Sequence, residues 1–313
     1  MSGTRVPWRA VDGVLLLDKP GGISSNAALQ KVRRLFLAEK GGHTGTLDPM
    51  ATGLLPVCLG EATKYSHLLL GADKRYLALV QLGVTTTTGD LEGEIVKRIP
   101  VSVSRDEAEA VLSRFRGPIQ QTPPMYSAIK QGGQPLYKLA RAGGEVPRAP
   151  RSIIIQSLSL MRIEGDQLQL AVNCSKGTYV RVLAEDIGNA LGCGACLAGL
   201  RRVGVGSFTL SGRAVNLEQL EQLAPAERDA LLLPADALVA GLPRLDLDAG
   251  EALRLIHGQP VERAGARVAG LARIYGPNCE FLGVVEVTPP GRIVPRRLRA
   301  QSRGLSVSRA SIS

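Results

Sequence analysis

The sequence predicts an α+β fold, a mixed and largely antiparallel sheet flanked by helices, with a small β-rich domain at the C-terminal end. Three observations predict it. Strand-type and helix-type hydrophobic periodicities interleave in unequal blocks along the first two-thirds of the chain, without the steady rhythm of a doubly wound fold. Beyond Asp246 the helical period gives way to short alternating runs such as Phe281–Val287, separated by turn residues at Gly276-Pro277 and Pro289-Pro290-Gly291. The chain also has 313 residues, 44% hydrophobic and 21% charged, so it can bury a sizeable core without disulfide or metal staples.

The elements follow in order. Residues 13–17 read as a short buried strand that ends in the turn Asp18-Lys19-Pro20-Gly21-Gly22. A helix follows from about Ser25, with Leu29, Val32 and Phe36 on one face. Glu61–Leu70 reads as a second helix. In 74–82 the residues Tyr76, Ala78, Val80 and Leu82 share one face of a strand. Ser104 and Glu107 form a capping box before a helix carrying Ala108, Val111, Leu112 and Phe115. Residues 117–150, with six prolines and five glycines, read as a long excursion with one or two helical turns around Leu136–Arg141. Strands are expected near 152–163, 167–173 and 200–209, and a helix near 180–190 after an extended piece at 177–180. Ala224–Pro243 reads as helix plus linker. The resulting division is 1–243, with an insertion at 124–151, and 244–313.

Charge points to a partner. Lys and Arg number 38 against 28 Asp and Glu, a net charge of +10. Two stretches concentrate it: Gln121–Arg151 holds five basic residues and one acid, and no acid follows Glu286. A phosphate backbone rewards both by releasing counterions. No run approaches the ~20 apolar residues of a membrane span, and the opening apolar run Val14–Leu17 is too short for a secretory signal. Five scattered cysteines do not make a disulfide scaffold. These features predict a cytoplasmic protein without a membrane partner.

The densest unusual stretch is Gly41–Pro56, GGHTGTLDPMATGLLP, a glycine- and threonine-rich loop that leads into an apolar run. No Gly-Lys-Ser/Thr follows its glycines, so it is not a P-loop. Its one carboxylate, Asp48, precedes Pro49, which favours an extended backbone there. Taken singly, a loop aspartate is more often a turn cap than a catalyst.

Several motifs together resemble the family of bacterial tRNA pseudouridine synthases that modify uridine-55 in the T loop. His43-Thr44-Gly45-Thr46-Leu47-Asp48-Pro49 with Ala51–Pro56 resembles its catalytic loop, and Gly13–Pro20 its opening Lys-Pro motif. Gly60–Lys64, Asp73-Lys74-Arg75-Tyr76, Pro123–Ala128, Ser175–Arg181 and Leu200-Arg201-Arg202 resemble further motifs in the same order. The resemblance covers about residues 11–210 and is much weaker beyond Pro243. It implies the pseudouridine synthase fold with a PUA-like C-terminal domain that binds RNA.

The resemblance also implies roles. Asp48 is the catalytic nucleophile or base; a covalent sugar adduct and a glycal route both remain open. Tyr76 stacks on the extruded uracil, Arg181 pairs with and orients Asp48, Leu200 lines the uracil pocket, and Tyr179 contacts substrate. Were 177–181 extended, Tyr179 and Arg181 would face the same way. His43 fills the space that the flipped base leaves in the RNA. Lys19 and Lys64 match motif positions and are candidates for phosphate contact, with a solvated surface lysine the alternative for each. The excursion, with Lys130, Lys138 and Arg141, is an RNA clamp over the T stem-loop, expected to be disordered without RNA. Isomerisation breaks one glycosidic bond and forms another, so no cofactor and no metal are expected. A single carboxylate in the loop suits this chemistry better than glycoside hydrolysis, which uses two and a water. The expected partner is tRNA, bound by a monomer. Met50–Pro56 and the long insertion favour a stand-alone enzyme over the guide-RNA-dependent type. A tRNA-folding chaperone using the same groove is the alternative function.

Two other signals are set aside. Cys193-Gly194-Ala195-Cys196 has no second ligand pair for a zinc site, and Gly204-Val205-Gly206 lacks the third glycine of a dinucleotide fingerprint.

Overall fold

The apolar run that opens the sequence becomes the first strand of a nine-stranded sheet. A computed structural model describes residues 7–127, 129–144, 146–263 and 268–300. In chain order it gives β1 (Gly13–Lys19), α1 (Ser25–Phe36), β2 (Gly41–His43), β3 (Thr52–Leu59), a 3₁₀ turn (Gly60–Lys64) and α2 (Ser66–Leu70). Next come β4 (Lys74–Leu82), the hairpin β5 (Val84–Thr86) and β6 (Ile95–Arg98), α3 (Arg105–Ser113) and β7 (Gly117–Gln121). The insertion contributes β8 (Lys130–Gln131), β9 (Gln134–Pro135) and α4 (Leu136–Arg141). Then follow β10 (Arg151–Glu164), β11 (Gln167–Cys174), α5 (Val180–Ala190), β12 (Ala195–Val205) and β13 (Phe208–Thr209). After α6 (Leu217–Gln222) and α7 (Pro225–Ala230) comes the C-terminal part: β14 (Arg244–Asp246), α8 (Ala249–Ile256), β15 (Val261–Glu262), β16 (Gly270–Tyr275), β17 (Phe281–Thr288) and β18 (Arg292–Leu298).

The main sheet runs β1-β3-β12-β4-β11-β10-β7, with β2 beside β3 and β13 beside β12. Among the described residues only β12 against β3 is parallel in this sheet, so the expected mixed, largely antiparallel sheet is what forms. Alternation explains its faces. Ala78, Val80 and Leu82 of β4 and Leu168, Leu170 and Val172 of β11 point into a core covered by Ala108 and Leu112 of α3 and by Leu183, Ala184 and Ile187 of α5. At the other end both faces are covered. Leu15, Leu17, Leu55 and Val57 meet α1, while Val14, Leu16, Leu54 and Cys58 meet Tyr65, Phe208 and the C-terminal Tyr275 and Phe281. The C-terminal strands form a second sheet, β14-β16-β17-β18-β15, with α8 packed on it through Ala252 and Leu255.

Four sequence expectations need correction. Glu61–Leu70 is not one helix, because the 3₁₀ turn and α2 meet at Tyr65, whose buried ring packs on Phe281. The excursion starts later than residue 117: Gly117–Gln121 pairs with Arg151–Ile155 as an edge strand. The strand expected at 200–209 starts at Ala195 and ends at Val205, with a bulge between Leu197 and Gly199. The piece 177–181 is not extended throughout, since Arg181 already lies in the first turn of α5. Cys193 and Cys196 are buried free thiols. No helix among the described residues is long and apolar enough to cross a membrane.

Candidate active site

The loop between β2 and β3 carries Asp48, and buried polar groups hold it on both flanks. On one side Ser25, the first residue of α1, is buried and grips Leu47: its Oγ accepts from the Leu47 N–H at 2.8 Å and donates to the Leu47 carbonyl at 3.0 Å. Lys19 sits beneath with no exposed surface, its Nζ donating to the carbonyls of Pro20 (2.7 Å), Ile23 (2.8 Å) and Pro49 (3.4 Å). On the other side Arg202, 1% exposed, donates to the carbonyls of Leu54 (2.7 Å), Gly45 (3.1 Å) and Thr46 (3.4 Å). Leu54 is buried and Asp48 is not: its side chain keeps 40% exposure above a cavity of about 260 Å³.

Arg181 is the hub. Its Nε donates to Asp48 Oδ2 at 2.9 Å and lies 3.6 Å from Asp90 Oδ2. Its two terminal nitrogens donate to the Thr88 carbonyl (2.9 Å) and the Tyr126 carbonyl (2.7 Å). Each of the three nitrogens of this 5%-exposed guanidinium thus donates to an acceptor, which fixes the side that meets Asp48. Asp90 is itself buried and held by the Thr88 hydroxyl (2.6 Å) and the Glu92 N–H (3.1 Å). The order Asp48, Arg181, Asp90 runs from the cavity into the protein. The start of α5 is set by Gln121, whose side chain accepts from the Tyr179 N–H at 3.0 Å and donates to its carbonyl at 3.3 Å.

Tyr76, on β4, and Leu200, on β12, line the same cavity, as do Tyr179 and Arg202. Tyr76 pairs with Arg202 across the two strands, which brings the guanidinium to its phenol. Burial is the larger effect and pushes the Tyr76 hydroxyl above its ordinary pKa, so it stays protonated at neutral pH. Burial likewise raises the Tyr179 phenol, and burial with the charge of Arg202 keeps His43 neutral.

Of the residues chosen from sequence, Asp48, Tyr76, Tyr179, Arg181 and Leu200 therefore meet around one cavity. His43 ends β2 beside this loop, half-buried, and its Nδ1 is a buried atom without a hydrogen-bond partner. Both motif lysines have partners within the protein. Lys19 is enclosed and bonded to carbonyls, so it supports the catalytic loop and is not placed to touch phosphate. Lys64 is tied to Glu61 (2.7 Å) and to the Leu298 carbonyl (3.1 Å), anchoring the C-terminal sheet. Lys138 is exposed on α4, while the side chains of Lys130 and Arg141 lie outside the described part of the structure, as does the Arg-rich tail from residue 301. Sequence reasoning missed Asp90 and Arg202 as site residues. Arg202 had a signal, since it shares a strand face with Leu200; Asp90 sits in an aperiodic loop and had none.

Among the described residues the arrangement presents one ionisable acid to a cavity walled by two phenols, an aliphatic side chain and cations. Three family models match the chain: "TruB family pseudouridylate synthase (N terminal domain)" over residues 33–180, "tRNA pseudouridylate synthase B C-terminal domain" over 181–240, and "Pseudouridine synthase II TruB, C-terminal" over 243–298. Curated proteins named tRNA pseudouridine synthase B are similar over nearly the whole length. That of Methylobacillus flagellatus is 56% identical, over 94% of this chain and 97% of its own. That of Stutzerimonas stutzeri is also 56% identical, over 93% and 96%. Among solved structures, a chain of a Cbf5-Nop10-Gar1 complex superposes with a TM-score of 0.71 at 26% identity, covering 92% of this chain and 84% of that one.

Proposed function

The chain belongs to the TruB family of pseudouridylate synthases, and from that premise we propose how its cavity makes pseudouridine in tRNA. The reaction is an isomerisation: the bond from ribose C1′ to N1 breaks, the base turns, and C5 takes the place of N1. Asp48 is the group that attacks or deprotonates the sugar, and it is the only acid lining the cavity among the described residues. Arg181 orients it and keeps Asp48 paired while the nucleoside is absent. Tyr76 offers the flat face against which a flipped uracil stacks, and Leu200 closes the pocket beside it. Asp90 and Arg202 are positioning residues: the first acts through Arg181, the second through the loop carbonyls and Tyr76.

The observation that carries this reading is the 2.9 Å contact that aims Arg181 at a half-exposed Asp48 inside a cavity shared with Tyr76 and Leu200. The finer assignments rest on the motifs: the target is uridine-55 of the T loop, the insertion 124–151 closes over the stem-loop, and a monomer in the cytoplasm acts without guide RNA. The purified protein, added alone to an unmodified tRNA transcript, is expected to convert uridine-55 and no other position. Conversion only after a second RNA is supplied would refute the stand-alone reading, and conversion elsewhere would refute the target.

A further inference from the structure

Three buried side-chain atoms among the described residues have no hydrogen-bond partner: His43 Nδ1, Thr44 Oγ1 and Ser127 Oγ. Ser127 is 5% exposed and lines the same cavity as Asp48, and nothing in the reaction described above uses it. A buried hydroxyl without a partner is costly, and a ligand group that accepts from it removes the cost. The Tyr179 phenol stands beside it.

The helix that begins at this wall is also open. Tyr179 is the N-cap of α5 and makes no side-chain cap bond, and the first turn holds no acid. The N–H groups of that turn and the positive end of an eleven-residue helix therefore meet the cavity where Tyr179, Val180 and Arg181 line it. Lys74 and Arg202 add positive charge to the same walls, and Asp48, the one lining acid among the described residues, is paired with Arg181. An unsatisfied hydroxyl, a neutral phenol, an uncapped helix start and excess positive charge fit an anion better than the edge of a neutral base.

We propose that Ser127 Oγ, the Tyr179 hydroxyl and the first turn of α5 hold a phosphate of the RNA strand next to the flipped uridine. The proposal rests on the pseudouridine-forming reading of this cavity. It gives the insertion a role beyond closure. Tyr126, one residue before Ser127, accepts from Arg181, so a phosphate on Ser127 would be bound by the same short segment that braces the catalytic pair.

The test pairs a protein change with an RNA change. Full-length protein and its Ser127→Ala and Ser127→Thr variants are assayed on tRNA assembled with a neutral methylphosphonate at one or the other phosphate flanking the target. On natural RNA, Ser127→Ala is expected to lose about tenfold in kcat/KM, mostly through KM, and Ser127→Thr to stay within about threefold of the parent. At one of the two positions the methylphosphonate is expected to cost the parent about tenfold and the alanine variant less than about twofold. Equal losses for parent and variant at both positions, or an unimpaired Ser127→Ala, would overturn the subsite. A parent indifferent to both neutral linkages would overturn it even were the alanine variant to misfold. A parent that makes no pseudouridine in natural tRNA would instead refute the function on which the proposal rests.

Discussion

At the residue scale, the site depends on charges placed where water is scarce. Arg181 binds two carboxylates and two carbonyls with one planar fork, a task for which lysine has the charge but not the geometry. Arg181→Lys is expected to leave a folded protein whose single-turnover rate falls by about 10²–10³; a loss below tenfold would show that orientation of Asp48 is not limiting. Lys19 offers a test of a different kind. Burial lowers its pKa from 10.5 to about 8. Below pH 8 the folded and unfolded chains both hold the proton; between 8 and 10.5 the folded chain has released it while the unfolded chain still binds it, so stability contributed by this group rises with pH. Denaturant unfolding of the parent against Lys19→Met should show the parent gaining relative stability from pH 8 to 10, by up to about 3 kcal/mol. A flat or falling difference would contradict it. Neither lysine motif position could be placed from sequence, because a lysine's burial depends on distant carbonyls: those of Ile23 and Pro49 for Lys19, that of Leu298 for Lys64.

At the scale of the element, legibility followed periodicity. Leu29, Val32 and Phe36 mark the buried face of α1, Tyr76, Ala78, Val80 and Leu82 the inward face of β4, and the Ser104–Glu107 capping box closes on α3 as its spacing predicts. The reading failed where an element ends. Ser175–Arg181 spans a strand end, a turn at Gly177 (φ +83°) and a helix start, and the motif's strand-like wording hid that change of period. Arg181 and Tyr179 still reach one cavity, but through a helix turn instead of a shared strand face. The hairpin carrying Asp90 shows no periodicity that would mark a buried acid. A glycine provides the sharper test of how the elements fit. Gly53 has φ +99° and lies against Arg202 in the parallel pairing of β3 with β12; a Cβ there would stand 2.3 Å from the Arg202 carbonyl oxygen. Gly53→Ala is expected to cost about 3 kcal/mol and to loosen the catalytic loop, whereas Gly177→Ala, with open space around its Cβ, should cost about 1 kcal/mol from backbone strain alone. Equal shifts in thermal midpoint for the two would contradict the close-approach argument.

At the scale of the whole molecule, the two sheets share a core. Tyr65 of the first part packs on Phe281 of the second with ring centroids 5.3 Å apart, and Phe281 also packs on Tyr275 at 5.7 Å. Lys64 and Glu61 reach the Leu298 carbonyl and the Ala300 N–H. The resemblance weakened beyond Pro243, and the β-rich character of that part was legible from its alternation, but this joint was not: Tyr65 and Phe281 are 216 positions apart and each alone reads as ordinary packing. Phe281→Ala should cost about 3–5 kcal/mol and lower a single unfolding transition by calorimetry; two transitions, with only the second sheet melting early, would contradict a common core.

The central claim is that one carboxylate in a cavity shared with Tyr76 and Arg181 carries the chemistry, and it separates catalysis from a folding-helper role played by the same groove. The most direct measurement is single-turnover formation of pseudouridine in unmodified tRNA by the parent and by Asp48→Asn, with RNA binding measured in parallel. The account predicts that the asparagine variant binds tRNA within a few-fold of the parent and forms no pseudouridine. Pseudouridine appearing at the parental rate with Asp48→Asn would contradict it.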